Sequence, residues 1–86
     1  MDKKDIVIDY HVLKNSEKVN VTEIVKSIYR YIQTHEIYFK YEPSFVEGVL
    51  IFGIVGYKED QEKLQNELGP ILNGLGAKLD ILLERK

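Results

Sequence analysis

The sequence predicts a single α+β domain, a split βαββαβ sandwich in which two helices cover one face of a four-stranded antiparallel sheet. Three observations point there. Four segments carry strand periodicity or strand composition, two place apolar residues three and four positions apart, and the connections between them are short.

Residues 5–12 alternate, with Ile6, Ile8, Tyr10 and Val12 on one side and Val7, Asp9 and His11 on the other, the period of a half-buried strand, β1. Residues 14–18 are polar and form a connection. Asn20 is placed to cap a helix, with Glu23 three residues on to reach back to it. Val21, Ile24, Val25, Ile28 and Ile32 then draw one apolar stripe down α1, which ends near Thr34 or His35. Residues 37–42 alternate again as β2, with Ile37, Phe39 and Tyr41 against Tyr38, Lys40 and Glu42. Pro43 and Ser44 suit a turn, because proline cannot donate to a strand ladder. Residues 46–57 are dense in β-branched and aromatic side chains on both faces, which marks a central strand, β3, hairpinned to β2.

Asp60 is placed to cap α2, whose stripe is Leu64, Leu68, Ile71, Leu72 and Leu75. Gly69-Pro70 predicts a kink or break near residues 67–69, since proline removes a backbone hydrogen bond and clashes with the preceding turn; Gly74 or Gly76 closes the helix. In residues 77–84, Leu79, Ile81 and Leu83 alternate with Lys78, Asp80 and Glu84 as β4. Right-handed crossovers place both helices on one side of the sheet, a ferredoxin-like arrangement with its other face open.

Composition narrows the function classes. At 86 residues, 44% hydrophobic and 30% charged, the chain suits one small globular domain over residues 1–86. It has no cysteine, which removes disulfides, thiolate metal sites and cysteine nucleophiles. The apolar run at residues 48–56 falls far short of the roughly 20 needed to cross a bilayer. The first five residues lack a signal peptide's apolar segment, so a cytoplasmic location is expected. Net charge is -2 and the 12 basic residues are scattered, so neither a membrane nor nucleic acid is an expected partner.

Ser16, Ser27 and Ser44 sit in no G-x-S-x-G context, and Gly48, Gly53 and Gly56 fit neither phosphate-binding glycine pattern. His35 falls in the last turn of α1, where it suits a capping role. Asp9 and His11 share the open side of β1 and Asp80 on β4 can approach them, so these three form the candidate polar cluster. The sequence calls for no catalytic residue, metal or cofactor, and β3 lacks the spaced aromatics with which RNA-recognition modules of this topology stack bases. A non-enzymatic module is expected.

The open face supplies the candidate interface. With Val49, Ile51, Gly53 and Val55 assigned to the helix side, Leu50, Phe52 and Ile54 face outward with Val7, Tyr38 and Leu82. A solvated sheet face normally turns polar, so an apolar patch on the order of 300 to 500 Å² implies a protein partner or a second copy forming a dimer. Gly53 is expected to let a helix approach the sheet.

Two resemblances bear on this. Val19-Asn-Val-Thr-Glu-Ile24 after β1 and Glu42-Pro43 before β3 make the chain similar, over nearly its whole length in element order, to the archaeal elongation factor 1-beta family. That resemblance implies guanine-nucleotide exchange on a translational GTPase, the alternative to an interaction module. The family's functional lysine after Glu-Pro has no counterpart in Ser44-Phe-Val-Glu-Gly48-Val49. In topology the chain also resembles ACT-like regulatory domains, which implies pairing and small effectors at the interface.

Overall fold

A computed structural model of the chain describes residues 5–14 and 19–85. The elements are β1 (Asp5–Lys14), α1 (Val21–Gln33), β2 (Tyr38–Val46), β3 (Val49–Tyr57), α2 (Lys58–Gly74) and β4 (Ala77–Arg85). The strands form one antiparallel sheet in the order β2-β3-β1-β4, the ferredoxin-like arrangement. The polar connection at residues 15–18 lies outside the described residues.

The core lies between sheet and helices. Ile6, Ile8, Tyr10 and Val12 of β1 are buried there, and the register sets Ile8 beside Ile54, Tyr10 beside Phe52 and Val12 beside Leu50. Residues paired across an antiparallel ladder share a face. Leu50, Phe52 and Ile54 therefore point at the helices, being 5%, 0% and 0% exposed, which corrects the expected parity of β3. Val49, Ile51, Gly53 and Val55 face the open side. Both rows of β3 are apolar, so alternation could not rank them; the larger row, with Phe52 stacked on Tyr10 at 5.3 Å, fills the core.

The two strand glycines follow the same parity. A Cβ on Gly53 would sit 2.5 Å from Tyr41 Cε1, so this glycine admits a tyrosine ring on the open face rather than a helix. On the helix side a Cβ on Gly56 would meet Ile37 Cγ2 at 2.7 Å, so that glycine makes room for the residue preceding β2 and not for a helix backbone.

In α1, Asn20 Oδ1 accepts from the Glu23 N–H at 3.2 Å, and Ile24, Ile28 and Ile32 are buried as the stripe predicts. Tyr31 joins them. The β2–β3 turn falls at Glu47-Gly48, with φ of 53° and 81°, rather than at Pro43-Ser44. Two positive φ values suit a two-residue hairpin, and Pro43 is tolerated because β2 is an edge strand whose register shifts between Tyr41 and Ser44.

Helix α2 begins at Lys58, with Tyr57 rather than Asp60 in the capping position. It continues through Pro70 without the expected break. Asn66 and Pro70 both lie on the exposed side, where water can satisfy the Asn66 carbonyl that proline leaves without a donor. Gly76, at φ 81°, follows the helix end, and its N–H donates to the Asn73 carbonyl.

Candidate functional site: the open sheet face

Sheet register orders the open face into rows. Tyr38, Val55 and Val7 form one; Tyr41, Gly53, Asp9 and Leu83 the next; Ser44, Ile51, His11 and Asp80 a third. Val46 pairs with Val49 beyond them, and Leu13 with Lys78. Tyr38 is 71% exposed, Leu83 51% and Val46 50%, while Val7, Val49, Ile51 and Val55 are half-buried.

The face is apolar, as the sequence implied, but through a different row of β3. Val7 and Tyr38 sit where they were expected. Leu50, Phe52 and Ile54 do not, being core. Leu82 is the extra residue where the β1–β4 register shifts, exposed beside Leu83.

Of the polar cluster, two members meet. His11 Nε2 stands 3.3 Å from Asp80 Oδ2, on directly paired residues of β1 and β4. Asp80 Oδ1 also accepts from the Ile81 N–H at 3.1 Å. Asp9 lies one row away, 7% exposed, on the far side of Gly53 from Tyr41. Among the described residues no group of three or more histidine and acidic side chains is arranged to hold a metal ion.

Two further polar groupings lie on the helix side. Tyr10 donates to Gln61 Oε1 at 2.8 Å and accepts from Gln65 Nε2 at 3.2 Å, while Gln61 Nε2 donates to the Ile6 and Ile54 carbonyls at 3.2 and 2.9 Å. Burial pushes the Tyr10 hydroxyl up to about 12; the Gln65 bond opposes this and the Glu84 charge adds to it. Sequence reading missed this network, although Gln61 sits three residues before Leu64 and so continues the stripe of Leu64, Leu68 and Leu72.

Tyr31 donates to Glu67 Oε1 at 2.7 Å, joining α1 to α2, and burial, followed by that carboxylate, pushes the Tyr31 hydroxyl's pKa well above its ordinary value. His35 stacks on the Tyr31 ring at 3.8 Å, and its Nδ1 lies 2.8 Å from the Tyr31 carbonyl, the helix-end role expected of it. Its Nε2 is 3.6 Å from Glu67 Oε1. An open cavity of about 250 Å³ beside this group is lined by Ser27, Arg30, Tyr31, Thr34 and Ile71.

The Glu42-Pro43 pair lies within β2, and Glu42 accepts from the Tyr29 hydroxyl at 3.0 Å. No helix among the described residues is long and apolar enough to cross a membrane. Fold and site define a two-layer ferredoxin-like domain with an apolar open sheet face. No family model matches the chain, and no curated protein or solved structure matches it.

Proposed function

We propose that the chain is a non-enzymatic interaction module that works by covering its open sheet face with a second copy of itself. The observation that carries this reading is the row structure: Val7, Val49, Ile51, Val55, Tyr38 and Leu83 lie where a solvated sheet would alternate to polar side chains.

Size supports a second copy. Nine-residue strands at about 3.3 Å per residue and four strands at about 4.8 Å spacing give a face of roughly 570 Å² in projection. Side-chain relief brings its accessible area toward the roughly 800 Å² per partner of a stable interface. A twofold axis running along the strands lays β3 on the partner's β1, with Val55 over the partner's Val7 and Ser44 beside the partner's Asp80. Valine then meets valine at that row, Ile51 lies over the partner's His11, and Asp80 gains a hydroxyl donor.

The test is a charge placed on the face without touching the core. Val55→Lys and Ile51→Glu are expected to lower the mass seen by light scattering at submillimolar concentration while leaving the circular dichroism spectrum native. A native variant whose mass equals the wild type's would overturn the reading. Phe52→Asp is no substitute, because it buries a charge in the core and unfolds the chain.

A further inference from the structure

The sheet ends on two edge strands that differ in kind. The ladder of β2 shifts register twice and its strand contains Pro43, so its outer row of backbone groups is broken. The β1–β4 ladder shifts once, at Leu82, which leaves Ala77 to Ile81 as a regular stretch. The outward backbone groups of that stretch can be assigned. The two-residue Glu47-Gly48 turn makes Val46 and Val49 a hydrogen-bonded pair. Alternation across β3 and β1 then points the backbone of Asp80 at β1 and that of Ile81 outward, where the Ile81 N–H donates to Asp80 Oδ1 at 3.1 Å. Alternation then turns the N–H and C=O groups of Ala77, Leu79 and Ile81 toward the outer edge. Side chains alternate too: Ala77, Leu79 and Ile81 lie on the helix side, Lys78 and Asp80 on the open side.

We propose that a second copy adds to this edge, antiparallel, about a twofold axis passing through Leu79. The segment is self-complementary in that register. Leu79 faces the partner's Leu79, Ala77 faces the partner's Ile81, and Lys78 faces the partner's Asp80. Every pair joins residues of the same sheet face, so no side chain is forced to the wrong layer. Leu79 takes a hydrogen-bonded position, and Lys78 and the partner's Asp80 take the closer, non-hydrogen-bonded one, where opposite charges interact best.

Asp80 changes partners in the process. Its Oδ1 releases the Ile81 N–H to the carbonyl of the partner's Ala77 and turns to the partner's Lys78, while Oδ2 keeps His11. Above the edge, an open cavity of about 380 Å³ lined by Gly69, Pro70, Asn73, Lys78 and Leu79 gives the partner's apolar side chains room beneath α2. Leu82 ends the pairing, because the extra residue bends the strand away.

This surface is separate from the open face. Its twofold axis stands perpendicular to the sheet outside β4, so both open faces end on one side of a continuous sheet. The open-face axis runs along the strands between β3 and β1 and does not meet it, so chains using both surfaces build an open, staggered stack.

The experiment uses two single-site variants. In a Lys78→Glu pair both contacts become carboxylate on carboxylate, and in an Asp80→Lys pair both become ammonium on ammonium. Each variant alone is expected to associate roughly 10- to 100-fold more weakly across this edge and to lower the wild-type mass by light scattering. Mixed with each other, the two chains present Glu to Lys at one contact and Lys to Asp at the other, so the mixture should regain the wild-type mass. Retention of the wild-type mass by Lys78→Glu, failure of the mixture to recover it, or a monomeric wild type overturns the proposal. A wild-type mass that grows with concentration beyond two chains and falls to two in each variant supports both surfaces; two chains falling to one support the edge alone and remove the stacked face.

Discussion

The side chain that ties most of the molecule together is Gln61, which is fully buried and bonded to β1, β3 and the Tyr10 hydroxyl at once. Every polar atom in this group has a partner, and none of the buried side-chain nitrogens and oxygens among the described residues lacks one. The network therefore holds α2 at a fixed height over the sheet. Tyr10→Phe removes the donor to Gln61 Oε1 inside the core and is expected to cost about 1 to 3 kcal/mol of stability near neutral pH. The cost should depend on pH. Folding raises the Tyr10 hydroxyl from its ordinary 10 to about 12, so the unfolded chain loses this proton first. Its contribution is fully present below pH 10 and is lost as pH rises to 12, an effect of about 2 to 3 kcal/mol. Urea midpoints of wild type and Tyr10→Phe should converge over that window. A gap that stays constant would show that Tyr10 does not ionise late in the folded state.

Among the elements, α2 carries the most internal conflict. Its interior holds Gly69 and Pro70, each disfavoured in a helix, yet it runs unbroken from Lys58 to Gly74. A Cβ on Gly69 would meet nothing within 4 Å, and Pro70 lies on the exposed side. Gly69→Ala is expected to add about 0.5 to 1 kcal/mol, and Pro70→Ala about 1 to 3 kcal/mol, by restoring a donor to the Asn66 carbonyl. Thermal denaturation checks both, and a lowered midpoint in either would mean that packing requires the native residue. The conflict also explains where the sequence was legible. The Asn20 cap and the stripe of α1 were readable because short-range chemistry decides them. Pro43 and Pro70 misled because the rule that proline ends an element weakens where its missing hydrogen bond faces water, at a sheet edge or on a helix's exposed side. The Glu47-Gly48 turn was obscured by Val46 and Val49, which read as one run with the strand that follows.

At the scale of the whole molecule, element order and layer arrangement could be read from periodicity, but the identity of the open face could not. Both rows of β3 are apolar, and only pairing with β1, whose inward row is unambiguous, fixes which one faces the helices. The candidate site consequently kept its place and its apolar character while Leu50, Phe52 and Ile54 exchanged roles with Val49, Ile51 and Val55. A pair of truncations separates the two layers energetically. Phe52→Ala empties a fully buried position stacked on Tyr10 and should cost about 3 to 5 kcal/mol at any protein concentration. Ile51→Ala removes a half-buried side chain from the open face, and in a dilute, dissociated chain it should cost less than about 1.5 kcal/mol. If a second copy covers that face, association stabilises the folded state by mass action, and the Ile51→Ala penalty must grow as concentration rises. Denaturant unfolding at low and high micromolar concentration reads this directly. A penalty for Ile51→Ala that stays the same at both concentrations, beside a large and constant one for Phe52→Ala, would leave the core assignment standing and show that the face is not where copies of the chain meet.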